Sequence, residues 1–181
     1  MQAVHEDVAR VLFTDEEIQA RVKEMGAQIT ADYQGQSLLV VSVLRGAAIF
    51  MADLVRAIDL PVEMDYMAVS SYGNGAKSSG VVQILKDTTS SLEGRHVIIA
   101  EDILDSGLTL EFLIENFELR NPASVEVATL LRKDVKPQAD VHCRYIGFEC
   151  PNEFIVGYGL DYAERYRNLP YIGVLKPEIY Q

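Results

Sequence analysis

The stretch His96–Leu110, HVIIAEDILDSGLTL, brings reactive residue types together at short spacing. An apolar run closes on two neighbouring acids, Glu101 and Asp102. Asp105, Ser106, Gly107 and Thr109 follow, and a helical pattern then begins. Acids at the end of a buried strand are costly unless something uses them. Glu101 and Asp102 can face magnesium or sugar hydroxyls. Asp105 can accept a hydrogen bond, or a proton beside a reacting centre. Ser106 and Thr109 offer hydroxyls, and Gly107 lets the backbone approach a ligand closely. Successive amides from Asp105 through Leu108 to Thr109, at a helix start, make an anion nest. The plainer alternative is that Asp105 only caps the helix and the acids are solvated.

Other uses of such a loop leave signatures. The chain lacks GxxxxGK[ST], and GxGxxG occurs nowhere in it, so a P-loop or a dinucleotide fold has little support. Acid-rich strand ends also occur in receiver and phosphatase-like folds, which transfer phosphoryl groups to aspartate. That alternative stays open on spacing alone.

The elements that must position these residues can be read from the apolar pattern. Thr14 with Glu17 three residues on is a capping box. Behind it Ile18, Val22, Met25 and Ile29 recur on one helical face. Residues 37–44, SLLVVSVL, read as a strand buried on both faces. A helix follows RGA, with Met51, Leu54, Val55 and Ile58 as its stripe. In VEMDYMAV, from Val62, the face of Val62, Met64, Tyr66 and Ala68 is the more apolar one. Residues 70–80, SSYGNGAKSSG, are a loop by composition, and VVQILKD a short strand. HVIIA and SVEVATLL are further strands, flanking a helix that turns Leu110, Leu113, Ile114 and Phe117 inward. The crossovers predict an α/β fold with a mostly parallel central sheet flanked by helices on both faces. One domain over 1–181 is expected, with 137–181, aromatic and glycine-rich, as a small C-terminal hood over the sheet edge.

Composition sets outer limits. A chain of 181 residues with 49% apolar and 24% charged content fills a core and does not read as disordered. No run of about eighteen residues is free of charged or polar groups, and the acidic start MQAVHEDVAR does not read as a signal peptide. A soluble, cytoplasmic protein is the default expectation. Cys143 and Cys150 lack the spacing of a zinc or redox site and read as ordinary thiols. The net charge of −11 argues against an extended nucleic-acid footprint. It leaves small phosphates open, since backbone amides and magnesium hold those.

EDILDSGLTL closely resembles the phosphoribosyl pyrophosphate signature of the type I phosphoribosyltransferases. VLRGAAIFMADL, SSYGNGAKSSG, LLRK and FIVGYGLDYAERYRNLPYIG follow that family's order and are similar to its hypoxanthine-guanine branch, over Val11 to Val174. The resemblance implies the type I fold. It also implies magnesium-dependent transfer of 5-phosphoribosyl to N9 of hypoxanthine, and of guanine, releasing pyrophosphate. A guanine- or xanthine-preferring member is one alternative. An RNA-binding pyrimidine-operon attenuator is another, disfavoured by the charge. A homodimer or homotetramer is implied as well.

Residue by residue, the resemblance puts Glu101 and Asp102 on the ribose hydroxyls and the magnesium-bound diphosphate. Asp105 becomes the acid/base near purine N7, and Asp105, Ser106, Gly107, Leu108 and Thr109 the 5′-phosphate loop. Arg45 and Gly46 correspond to the diphosphate loop, where relatives carry a cis peptide and many have lysine in place of Arg45. Lys133, not its neighbour Arg132, matches the lysine that donates to the purine 6-oxo group. An ammonium suits a carbonyl there and mismatches adenine's amino group. Phe154 matches the aromatic that stacks on the purine, and Ile155 the residue whose backbone meets its edge. Asp161 matches a carboxylate serving a second magnesium, and Arg167 a diphosphate-binding arginine. Ser71 and Tyr72 match the start of a lid whose closure would exclude water.

Overall fold

In the computed structural model, which describes residues 4–71, 82–136 and 138–181, the elements run β1 (Val8–Phe13), α1 (Asp15–Asp32), β2 (Leu38–Leu44), α2 (Ala48–Ala57), β3 (Val62–Ser71), β4 (Val82–Lys86), β5 (His96–Leu104), α3 (Leu108–Glu118), β6 (Ser124–Lys133), β7 (Tyr145–Cys150), β8 (Ile155–Val156), β9 (Ile172–Leu175) and α4 (Pro177–Tyr180). Tyr72 and most of the lid expected at 70–80 lie outside the described residues, as does Pro137.

The main sheet has the order β4-β3-β2-β5-β6-β7. All its neighbours are parallel except β3 and β4. Strand β2 shows why its sequence carries no alternation. Leu38 and Val40 pack toward α1 and α2 on one face, and Leu39 and Val41 toward α3 on the other. A strand between two cores must be apolar at both parities. The helices meet it as their sequence predicts. Thr14 and Glu17 form the reciprocal capping box, and Ile18, Val22, Met25 and Ile29 are buried. Leu110, Leu113 and Phe117 are the buried stripe of α3. Cys143 and Cys150 are free, and burial pushes both thiols up to about 11.

The structure differs from the pattern in three places. In β3 the buried side chains are Asp65 and Met67, while Met64 is exposed. An acid occupies the interior face because the amides of Tyr66, Thr89 and Ser90 donate to it at 2.6–2.9 Å, with the Thr89 hydroxyl at 3.1 Å. Burial pushes the Asp65 carboxyl up, but the Ser90, Tyr66 and Thr89 donors outweigh it and hold the carboxyl far below its usual range. Strand β1 lacks an alternation signal and is nonetheless formed, pairing with β9. The segment from 137 onward is divided: β7 extends the main sheet, and β8 and β9 join β1 in a small antiparallel sheet of order β1-β9-β8. The hood therefore draws on both regions of the chain. Among the described residues no helix is long and apolar enough to cross a membrane.

Candidate active site

The register aligns the carboxyl ends of β2, β5 and β6, with Ser42 opposite Ala100 and Leu104 opposite Arg132. Ligands in open α/β sheets bind at such ends. The turn leaving β5 enters α3 through Gly107, whose φ of +82° is the left-handed region that glycine adopts freely. Gly107 is the N-cap, and no side chain caps the helix. Asp105 therefore does not cap, which removes the plainer reading of it. The first-turn amides of Leu108 and Thr109 are left for an anion. A cavity of about 180 Å³ adjoins them, lined in part by Glu101, Asp102, Asp105, Ser106 and Thr109. The Ser106 carbonyl is engaged by the Gln138 and Ala139 amides at 3.0 and 3.1 Å. The β6–β7 connection thus braces the turn, a contact that nothing in the sequence signals.

Asp105 instead receives the Lys133 ammonium at 2.9 Å. The pair lines a second cavity, of about 340 Å³. Neighbours along a strand point opposite ways, and the structure uses this to separate the two cations ending β6. Lys133 turns to Asp105, while Arg132 forks onto Glu149.

Glu101 and Asp102 lie side by side at the end of β5. Burial, and then the neighbouring Asp102 carboxylate, raise Glu101 well above the usual range. Burial also raises Asp102, against hydrogen bonds from Glu101 and the Ile103 amide and the more distant charge of Arg167. Two acids that resist ionising together are a donor set for a hard divalent cation, whose charge reverses that bias. Among the described residues no three or more His, Cys, Asp or Glu side chains gather into a metal-holding group. Magnesium is commonly held by one or two carboxylates plus substrate phosphates and water, so the Glu101–Asp102 pair fits it.

The loop from β2 to α2 presses on this pair. A Cβ placed on Gly46 would lie 1.9 Å from Asp102 Oδ2. On its other side, a Cβ on Gly159 would lie 2.0 Å from the Gly46 carbonyl. Two glycines thus let the acids, the β2–α2 loop and the hood meet. The cis peptide is Leu44–Arg45. The Arg45–Gly46 bond suggested by resemblance is one residue too late, because β2 runs to Leu44 and the loop begins with the bond that follows it.

In the hood, Phe154 is exposed and stacks on Tyr180 at 4.8 Å, with Tyr162 edge-on at 5.4 Å. Ile155 is buried and pairs with Val174. Asp161 Oδ1 receives Arg167 at 2.9 Å, and Oδ2 accepts the Glu164 amide at 2.9 Å. Asp161 therefore sits with Arg167, and among the described residues it joins no group of three or more His, Cys, Asp or Glu side chains. Arg167 also donates to the Gly159 carbonyl at 2.8 Å. Tyr158, between the two glycines of GYG, donates its hydroxyl to Asp53 of α2 at 2.6 Å. Sequence reasoning passed over Tyr158, although a tyrosine between glycines is a visible signal, and over Glu164, which has none. Ser71 ends β3, opposite Val82.

Such a site, an uncapped helix start beside paired acids at the carboxyl ends of a parallel sheet, defines an α/β protein built to hold a phosphorylated ligand. The phosphoribosyl transferase domain family matches residues 12–163, and the chain belongs to that family. Within it, the chain is 55% identical to a hypoxanthine-guanine phosphoribosyltransferase of Bacillus subtilis over 175 residues, 97% of either chain. It superimposes with a TM-score of 0.96 on a hypoxanthine phosphoribosyltransferase from Staphylococcus aureus, at 51% identity, covering 100% of this chain and 99% of that one. It is also 54% identical, over 99% of its length, to the bifunctional protein TilS/HprT of Listeria innocua, of which it spans 28%.

Proposed function

We propose that the chain transfers the 5-phosphoribosyl group from phosphoribosyl pyrophosphate to N9 of hypoxanthine, and of guanine, giving IMP or GMP and pyrophosphate. The observation that carries this reading is the Lys133–Asp105 pair at 2.9 Å, set beside a helix start with no side-chain cap. One group reads a purine carbonyl, the other handles a purine proton, and the amides take a phosphate.

The first-turn amides of α3 hold the 5′-phosphate, and Ser106 and Thr109 add hydroxyl donors. Glu101 and Asp102 orient the ribose hydroxyls and hold magnesium, which neutralises charge on the departing diphosphate oxygens. The C1–oxygen bond breaks with its electron pair leaving on pyrophosphate, and N9 closes on C1 from the opposite side. Asp105 takes the proton the purine loses. Lys133 donates to the 6-oxo group, a role adenine's amino group cannot meet. Phe154 stacks on the base, the Ile155 backbone meets its edge, and Arg45, Gly46 and Arg167 face the diphosphate. Asp161 would hold a second magnesium. A cytoplasmic homodimer or homotetramer completes the proposal, with 1–181 as one domain.

The test is pyrophosphate release with magnesium and phosphoribosyl pyrophosphate, in parallel with hypoxanthine, guanine, xanthine, adenine and uracil. Release with hypoxanthine or guanine, and none with adenine or uracil, is the expected result. Silence with every base, from folded protein, refutes the reading in favour of a ligand-sensing or RNA-binding relative.

A further inference from the structure

Glu164, an acid that no motif marks, holds the two arginines that face the diphosphate in the proposed function. Its Oε1 receives Arg45 at 2.9 Å, and its Oε2 lies 3.5 Å from Arg167. One carboxylate thus spans two guanidinium groups that reach it from separate elements, the β2–α2 loop and the hood. A diphosphate would engage the same two groups through separate oxygens.

The backbone around Glu164 is unusual. Ala163, Glu164 and Tyr166 all have positive φ, at 49°, 65° and 76°. Non-glycine side chains rarely adopt that region, and runs of such residues persist where surrounding contacts enforce them. Two contacts enforce it. The Glu164 amide donates to Asp161 at 2.9 Å, and the Tyr166 hydroxyl donates to Asp7 at 2.7 Å. Arg167, meanwhile, has a buried Nε with no partner among the described residues. Its donors are not fully used by Gly159, Asp161 and Glu164, so it can take a further acceptor oxygen.

We infer that Glu164 stands in for the diphosphate, neutralising and spacing Arg45 and Arg167 until phosphoribosyl pyrophosphate displaces it, and returning as pyrophosphate leaves. This rests on the reading of Arg45 and Arg167 as diphosphate-binding groups. Glu164 is a positioning residue that acts through those arginines. It weakens diphosphate binding by competition, and by the same competition it hastens product release. Both ion pairs are exposed, so the effect is modest and sensitive to salt.

The experiment is calorimetric titration of inorganic pyrophosphate, with magnesium, into wild-type protein and Glu164→Gln. Glutamine keeps the shape and an acceptor oxygen but loses the charge. Pyrophosphate is expected to bind about three- to tenfold tighter to the variant, the scale of two exposed ion pairs released. The difference should shrink as salt is raised. The KM for phosphoribosyl pyrophosphate should fall in parallel, with the KM for hypoxanthine unchanged. Should Glu164→Gln fail to fold, Glu164→Asp, too short to span both arginines, should still tighten pyrophosphate binding, by a smaller factor. Equal or weaker pyrophosphate binding in a folded variant, with wild-type protein active on hypoxanthine, overturns the inference alone. Wild-type protein that neither binds pyrophosphate nor turns over hypoxanthine overturns the proposed function with it.

Discussion

Gly46→Ala isolates one contact on which the site depends. The added methyl carbon would lie 1.9 Å from Asp102 Oδ2 and 3.0 Å from its Cγ, so the oxygen must retreat by about 1.5 Å to reach an ordinary 3.4 Å contact. Asp102 is only 8% exposed, and its other oxygen accepts the Ile103 amide at 2.8 Å. Overpacking of this kind costs about 1–3 kcal/mol, and losing the Ile103 hydrogen bond costs about 1 kcal/mol more. A total of roughly 2–4 kcal/mol lowers the melting temperature of a chain this size by about 5–15 °C. Gly35→Ala is the control. Beyond its two chain neighbours, no atom of the described residues lies within 4 Å of its added carbon, and only its φ of +76° resists the change, so it should cost about 1 kcal/mol. Thermal melting measures stability, and pyrophosphate release titrated with magnesium measures the site. The Gly46 variant should need more magnesium for half-maximal rate, and the Gly35 variant should not. If Gly46→Ala melts like wild type and keeps its magnesium requirement, the close approach to Asp102 is not why glycine stands there.

Asp105→Asn should lower turnover by about 10²–10⁴-fold while phosphoribosyl pyrophosphate binding changes little; loss of binding with turnover intact would refute the acid/base role. Lys133→Ala should cut kcat/KM for hypoxanthine and guanine by about 10–100-fold, the worth of one charged hydrogen bond, and an unchanged purine profile would show that another residue reads the 6-oxo group. Asp65 makes stability depend on acid. Its folded carboxyl is held below the unfolded value of about 3.9, so its contribution is full above that value and fades as pH falls below it. Denaturant titrations from pH 7 to pH 2 should show Asp65→Asn less stable at neutrality by about 2 kcal/mol and flatter below pH 4; parallel curves for the two proteins would refute this.

The strands and helices that bear the site were legible because each obeys one dominant demand. The strand β2 is apolar throughout since two cores claim it, and α1 and α3 show their stripes at helical spacing. The acids at 101 and 102 were legible because acids at the end of a buried strand need a reason, and Asp105, itself exposed, because it stands in the turn that enters α3. What escaped has local causes. Asp65 faces inward because of amides from a turn more than twenty residues away. Strand β1 exists because β9 offers it an edge. Composition does not part Arg132 from Lys133; the resemblance picks out Lys133, and strand parity with Glu149 turns the two side chains apart. Tyr158 works through Asp53, and Glu164 through Arg45, partners more than a hundred residues away in sequence, so their roles do not follow from the residues beside them.

The pairing of Val8 with Leu175 and Phe13 with Ile172 also sets a timetable. During synthesis β1 emerges about 160 residues before its partner β9. At about 5–20 residues per second, the wait is on the order of ten seconds. Strands β2, β3, β5 and β6, with the anion turn between β5 and α3, can assemble in that interval. Asp161 and Arg167 follow later, between β8 and β9. A nascent chain therefore passes through a stage with the turn between β5 and α3 formed and no hood, in which β1 is an unpaired edge that invites association with another chain. The acid-rich first turn of α1, with Asp15, Glu16 and Glu17 directly after β1, places repelling charge beside that edge while it waits.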